Sequence, residues 1–137
     1  MMISTRGRYA LRVMIDLAEH IDSGYLPMKE VAKRQEISLK YLERILPVLV
    51  KNGLVEGVQG KGGGYRLSRA PEDCTVGEIL RLTEGDLAPV ACLDCNAKVC
   101  EKRASCKTLS MWTKFYQMTN EYFDGISIAD LSNGKSL

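Results

Sequence analysis

The sequence predicts a mainly α-helical fold with a small β-hairpin wing, in which a winged helix-turn-helix is followed by a long C-terminal dimerisation helix. Two short amphipathic helical patterns follow one another over residues 28–52, and a glycine-rich hairpin pattern comes directly after them. A long segment with helical spacing and many aromatic residues lies near the C-terminus. We therefore expect a winged helix-turn-helix domain over residues 1–70, and a region with a cysteine loop and the dimerisation helix over residues 71–137.

The composition is that of an ordinary globular protein, with 137 residues of which 45% are hydrophobic and 26% are charged. The chain has no apolar run long enough to cross a membrane and no signal-peptide pattern, so we expect a cytoplasmic protein with reduced thiols. Residues 1–70 carry 12 Lys and Arg against 7 Asp and Glu, whereas residues 71–137 carry 7 against 10. A basic N-terminal half suits a polyanion such as DNA, although a solvated surface of mixed charge would look similar.

Three helical patterns precede the hairpin. The first covers about residues 4–20 and the second covers residues 28–35. The third begins after Ser38, which is a good N-cap residue, and its apolar residues recur at intervals of three and four. Pro47 lies inside this third pattern and should kink the helix or end it early, because proline removes one intrahelical hydrogen bond. Gly53 can close the helix in a left-handed conformation.

The hairpin pattern has two short strands, residues 54–58 and 65–67, joined by a glycine-rich turn. In a winged helix-turn-helix, the second short helix enters the DNA major groove with its N-terminal residues at the base edges. An arginine such as Arg44 can donate two hydrogen bonds to a guanine, and Glu43 can accept one from a cytosine amine. The candidate DNA-reading residues of this helix are Ser38, Lys40, Tyr41, Glu43 and Arg44.

Further DNA contacts are predicted at the hairpin tip and at the first helix. Gly60 allows the backbone to approach a minor groove or a phosphate closely, while Gln59 offers hydrogen bonds and Lys61 brings positive charge. Arg6 and Arg8, at the start of the first helix, are candidate phosphate contacts. The alternative is that these charged residues are ordinary solvated surface residues with no role in DNA binding.

Four of the five cysteines lie within 15 residues, in a segment without helical or strand periodicity. These are Cys92, Cys95, Cys100 and Cys106, with two, four and five residues between them. Reduced thiolates suit structural zinc or an iron–sulfur cluster, and the spacing alone does not separate the two centres. A thiol switch without metal is a third interpretation. Cys74 stands apart from the others and is expected to be a buried core residue.

A long helix is predicted from residue 105 or 106 to Phe123, after a shorter helix capped by Thr75. The long helix carries a wide apolar stripe, which would belong to the hydrophobic core if the helix packed against its own chain. In a short chain, however, an isolated stripe near the C-terminus is typical of contact with a second copy of the chain. We expect Trp112 and Phe115 to lie in such a dimer interface. The stripe comprises Leu109, Trp112, Phe115, Tyr116, Thr119, Tyr122 and Phe123.

Several stretches together resemble one family, the winged-helix iron–sulfur transcription regulators typified by the bacterial iron–sulfur assembly repressor IscR. The resemblance covers nearly the whole chain and implies a homodimer that binds a double-stranded DNA operator. It assigns DNA reading to the helix that contains Tyr41 and Glu43 and to the hairpin, and it often includes a [2Fe–2S] cluster in the cysteine loop. The matching segments are STRGRYA at 4–10, ISLKYLE at 37–43, KNGLV at 51–55 and GGGY at 62–65.

The family's cluster ligands carry over only in part. Its assembly repressors use three cysteines and a histidine placed three residues after the last cysteine. Cys100 and Cys106 keep the family's spacing and Trp112 keeps its downstream place, but Leu109 stands at the histidine position and cannot bind iron. The additional Cys95 is the candidate fourth ligand. The predicted ligand set is therefore Cys92, Cys95, Cys100 and Cys106.

Taken together, these features predict a homodimeric DNA-binding transcription regulator of repressor type, whose DNA affinity depends on an iron–sulfur cluster. A [2Fe–2S] cluster is favoured, and a regulator of the same fold with structural zinc or thiol-based sensing is the alternative. An enzyme or electron carrier is disfavoured, because the sequence contains no paired catalytic acids, histidine-based triad or nucleotide motif. An adaptor that never touches DNA is disfavoured by the basic helix and hairpin.

Overall fold

The computed structural model describes residues 2–137 and confirms the predicted fold class, with six α-helices and one two-stranded antiparallel hairpin in that range. The helices are α1 (Thr5–Glu19), α2 (Met28–Gln35), α3 (Leu39–Lys51), α4 (Val76–Glu84), α5 (Leu109–Asp124) and α6 (Ile128–Ser132). The hairpin strands are β1 (Val55–Val58) and β2 (Gly64–Leu67). None of the helices in residues 2–137 has the length and apolar character that a membrane crossing requires.

Helix α1 lies in the main core. Ser4 caps it, because the Ser4 hydroxyl oxygen accepts a hydrogen bond from the backbone N–H of Gly7 at 3.2 Å. Met14 is fully buried and belongs to the same apolar cluster as Ile79 of α4 and Ile128 of α6. The main core therefore continues past residue 70, and the division of the chain at that residue stays a prediction.

A buried ion pair joins α1 to α2. The carboxylate of Asp16, which is 1% exposed, accepts two hydrogen bonds from the guanidinium of Arg34, at 2.7 and 3.0 Å. It accepts a third from the side-chain amide of Gln35 at 2.9 Å. Burial by itself raises the pKa of Asp16, but these hydrogen bonds and the charge of Arg34 outweigh it, so the pKa lies below its ordinary value.

Helix α3 begins after Ser38 and ends just before Gly53, as the sequence predicts. Ser38 caps it, with its hydroxyl oxygen accepting a hydrogen bond from the Tyr41 N–H at 3.1 Å. Pro47 was predicted to kink this helix or to end it early, and the early end is wrong, since the helix continues to Lys51. Proline removes a single intrahelical hydrogen bond, and its buried neighbours Leu46 and Leu49 keep this part of the helix packed in the core.

The second strand of the hairpin, β2, attaches the hairpin to the loop that precedes α2. Leu26, in the loop before α2, and Tyr65 of β2 exchange two backbone hydrogen bonds of 2.9 Å each. A side chain at Gly64 would collide with the backbone carbonyl of Leu26, so this close approach requires glycine. The hairpin therefore has a defined position beside α2 and α3.

The C-terminal half builds a second, smaller core from Val76, Leu80, Leu87 and Ile126. Helix α5 begins at Leu109 rather than at the predicted residue 105 or 106, because residues 103–105 form a short 3-10 turn instead. No residue of α5 is buried within this chain, so the helix lies on its surface.

Candidate functional site

The residues predicted to read DNA lie on one exposed side of α3. Lys40, Glu43 and Arg44 are exposed, whereas Tyr41 is half-buried. Leu42, between them, is completely buried and fixes which face of the helix points outward. The backbone of this first turn is held by the Ser38 cap, so the side-chain oxygen of Ser38 is already engaged.

The structure brings one predicted phosphate contact to this helix. Arg6 of α1 lines a polar cleft of about 280 Å³ together with Tyr41 and Arg44 of α3. Two guanidinium groups on one cleft suit a phosphate, which accepts hydrogen bonds from arginine in pairs. Tyr41 is supported from behind by the ring of Tyr9, with ring centroids 5.2 Å apart in an edge-on arrangement. Arg8 is exposed and donates a hydrogen bond to the Thr5 hydroxyl, and it does not line this cleft.

The predicted hairpin contacts lie at its tip. Gln59, Gly60 and Lys61 are all exposed. Gly60 and Gly62 have φ angles of 95° and 77°, which favour glycine and produce the tight turn. Lys61 therefore projects from a narrow, backbone-rich tip, which is the shape needed to enter a groove of DNA.

Three of the four loop cysteines come together. Cys92, Cys100 and Cys106 line one small cavity, which Leu109 and Arg103 also line. Leu109 thus lies beside the three thiols, and its apolar side chain offers no atom that could bind a metal. All three cysteines are exposed and free of disulfides.

The environment of Cys106 favours the thiolate form, which is the form that binds metal. Its thiol lies 3.5 Å from the Thr108 hydroxyl, at the start of α5. The pKa of Cys106 is lowered first by hydrogen bonding to the Thr108 side chain, and then by the backbone at Thr108 and Leu109. Three thiols on one cavity fit a thiolate-ligated metal centre, and a fourth ligand has to come from outside that cavity.

Cys95 occupies a different environment. Its sulfur and the carboxylate oxygens of Asp86 and Asp94 lie within 4.8 Å of one another, and its backbone N–H donates to Asp86 at 2.7 Å. Hydrogen bonding to Asp86 raises the pKa of the Cys95 thiol, so the neutral thiol is favoured here. Cys95 does not line the cavity shared by the other three cysteines.

Cys74 is completely buried in the main core, as the sequence predicts. Its thiol lies 3.6 Å from the carbonyl of Ala70, and burial raises its pKa. Cys74 therefore takes no part in the cysteine site.

Sequence reasoning missed three residues around the cysteine loop, namely Asp86, Arg103 and Tyr116. Asp86 and Tyr116 are joined by a hydrogen bond of 2.6 Å across 30 residues of sequence, and Arg103 lines the cysteine cavity. Asp86 follows Gly85 at the end of a helix, where an aspartate is ordinary turn chemistry. Only Arg103, placed between two candidate ligands, could have been noticed from sequence.

Helix α5 presents an apolar face that its own chain leaves uncovered. Met111, Phe115, Met118 and Tyr122 recur at intervals of four, three and four residues and are 43–57% exposed. Tyr116 and Phe123, by contrast, pack against the second core. Trp112 is half-buried.

Comparisons with known proteins confirm the predicted resemblance. The sequence pattern of the Rrf2 family, described as "Iron-dependent Transcriptional regulator", matches residues 3–134. The chain is 36% identical over 131 residues to the HTH-type transcriptional regulator IscR of Aliivibrio salmonicida, which covers 96% of this chain and 77% of that protein. Among solved structures, it resembles CymR, the global cysteine regulator of B. subtilis, with a TM-score of 0.82 and 31% identity over 99% of each chain. It also resembles T. potens IscR, with a TM-score of 0.75 and 36% identity over 98% of this chain and 88% of that one. The protein therefore belongs to the Rrf2 family and is a helix-turn-helix transcription regulator.

Proposed function

We propose that this protein is a homodimeric repressor whose affinity for operator DNA is set by an iron–sulfur cluster, with [2Fe–2S] favoured. The observation that carries the proposal is the convergence of Cys92, Cys100 and Cys106 on one cavity at the start of α5. Residues 1–70 would read DNA, while residues 71–137 would bind the cluster and form the dimer.

In this proposal α3 lies in the major groove of double-stranded DNA. Glu43 and Arg44, exposed on its outer face, contact base edges, and Lys40 and Tyr41 lie beside them. Arg6 joins Arg44 at the polar cleft and binds a phosphate. The list of proposed DNA contacts is Arg6, Arg8, Ser38, Lys40, Tyr41, Glu43, Arg44, Gln59, Gly60 and Lys61.

The proposed cluster ligands are Cys92, Cys95, Cys100 and Cys106. When bound, the cluster would supply a redox-sensitive cross-link between the two ends of the loop. Cys92, Cys100 and Cys106 already line a common cavity, and Leu109 covers its apolar side. Cys95 would have to leave Asp86 to complete the set.

The exposed apolar face of α5 supports the homodimer. Aromatic and methionine side chains at this spacing are what a symmetric helix pair buries at its centre. Phe115 lies in the middle of that face, and Trp112 flanks it.

A second candidate is a regulator of the same fold that senses through bare thiols or holds structural zinc. Its support is that the four loop cysteines are exposed, free thiols, together with the similarity to the cysteine regulator CymR. Zinc also accepts four thiolates, so the donor set by itself does not separate these centres.

Metal analysis of anaerobically purified protein tests the proposal. We expect iron and acid-labile sulfide in about equal amounts, with a visible absorption band, and DNA affinity that differs between the loaded and the apo protein. Zinc without iron after anaerobic reconstitution would support the zinc regulator instead. Equal DNA affinity in both forms would exclude control by the cluster.

A further inference from the structure

Asp86 lies between α4 and the cysteine loop, and it contacts both the loop and α5. One carboxylate oxygen accepts the backbone N–H of Cys95 at 2.7 Å, and the other accepts the Tyr116 hydroxyl at 2.6 Å. The backbone N–H of Ala88 adds a third hydrogen bond at 3.0 Å. The adjacent Leu87 is 1% exposed in the second core, so the backbone that carries Asp86 is anchored.

A short row of side-chain hydrogen bonds holds α5 against the residues that precede the cysteine loop, and the Tyr116–Asp86 bond is the first of them. Tyr116 donates to Asp86, and one helical turn later Arg81 of α4 donates to the side-chain oxygen of Asn120 at 2.8 Å. Arg81 also pairs with Asp124, a further turn along. Apart from this row, α5 is held to its own chain by the partly buried side chains of Tyr116 and Phe123 at the second core, and none of its residues is fully buried. Loss of one member of the row is therefore expected to loosen the helix.

We propose that Asp86 is the positioning residue through which the state of the cysteine loop reaches α5. The inference rests on the proposed function, in which Cys95 joins Cys92, Cys100 and Cys106 as a ligand. Cys92, Cys100 and Cys106 line one cavity that Cys95 does not line, and the Cys95 sulfur instead lies within 4.8 Å of the carboxylate oxygens of Asp86 and Asp94. The sulfur therefore has to move away from them when it ligates.

Movement of Cys95 disturbs its own N–H bond to Asp86. The carboxylate then loses one of its three hydrogen-bond donors and adjusts its contact with Tyr116. Because Tyr116 heads the row that holds α5 against α4, the position of α5 changes with it. In a dimer formed through α5, such a change alters the spacing of the two DNA-reading helices. That spacing has to match the helical repeat of duplex DNA for both helices to bind.

Two variants test this coupling, Asp86→Asn and Tyr116→Phe, and Asp73→Asn serves as a matched control on the exposed turn before α4. Each protein is reconstituted anaerobically with iron and sulfide, and its iron content is measured. Its affinity for a duplex selected from a random library is then measured in the loaded and the apo form. In the parent and in Asp73→Asn we expect the same ratio of loaded to apo affinity, and in the other two variants a ratio about tenfold closer to one. Normal iron loading with an unchanged ratio in both Asp86→Asn and Tyr116→Phe would overturn the inference.

Hydrogen exchange on the apo proteins provides a readout that does not depend on any cluster. In Tyr116→Phe we expect faster exchange at the Cys95 amide, although its own acceptor Asp86 is unchanged. Asp86→Asn should speed exchange in both the loop and α5. Unchanged exchange over residues 91–106 in Tyr116→Phe would overturn the inference. If the parent takes up no iron, the proposed cluster function fails, and the exchange experiment alone decides the coupling.

Discussion

Replacing Asp16 with asparagine is expected to weaken the link between α1 and α2, the helix that precedes the DNA-reading helix. Asp16 is 1% exposed and accepts three hydrogen bonds, two of them from Arg34. Asparagine has the same shape as aspartate, but its amide nitrogen would face an N–H donor of Arg34 or Gln35. Because the asparagine side chain is neutral, it also no longer compensates the positive charge of Arg34. Breaking a buried ion pair costs about 3–5 kcal/mol. The Arg34 side chain is 34% exposed and can be hydrated, so we expect a loss of about 2–3 kcal/mol.

Urea denaturation followed by circular dichroism measures this loss, with Asp22→Asn as an exposed control in the short 3-10 turn that follows the same helix. For a chain of this size the loss corresponds to a fall in Tm of about 7–10 °C. Asp22→Asn should stay within about 0.5 kcal/mol of the parent. An Asp16→Asn protein as stable as the control would refute the argument that this ion pair holds the two helices together.

The same carboxylate predicts a pH dependence. The pKa of Asp16 is lower in the folded protein than in the unfolded chain, so its stabilising contribution is fully present above the unfolded value of about 4. The contribution is lost as the pH falls through the folded pKa. The difference in unfolding free energy between the parent and Asp16→Asn should therefore shrink in acid and be constant near neutrality. A difference that grew below pH 4 would contradict the assignment.

Three further predictions concern function. Arg44→Ala should reduce the discrimination between bases at one base pair of the operator by about 1–3 kcal/mol. Lys61→Ala should instead lower the affinity for all DNA sequences alike and reduce the salt dependence of binding. Binding to randomised duplexes distinguishes the two effects. Phe115→Ala should cost the dimer about 2 kcal/mol, seen as dissociation by light scattering, and an unchanged dimer would exclude this face as the interface. Cys106→Ser should bleach the visible absorption of the reconstituted protein, while Cys74→Ser should leave it intact; the opposite pattern would remove Cys106 from the ligand set.

The sequence by itself determined the first five helices, the hairpin and their order. Ser38 and Thr75 cap helices as predicted, because a cap is decided by hydrogen bonds within three residues of sequence. The family segments were equally readable, since they are runs of adjacent residues. Pro47 was misjudged because its local cost is outweighed by burial of its neighbours in the core, and that burial involves other helices.

Only the tertiary structure decided which of the candidate residues meet. Arg6 reaches the cleft of Tyr41 and Arg44 because the start of α1 meets α3 through the rings of Tyr9 and Tyr41, and the sequence contains no signal of that contact. The spacing of the four cysteines suggested one set, whereas the fold separates Cys95 from the others. A hydrogen bond from the Cys95 backbone N–H to Asp86, which follows the end of α4, holds Cys95 there. Contacts between distant segments depend on how whole helices pack, and local periodicity carries no information about that packing.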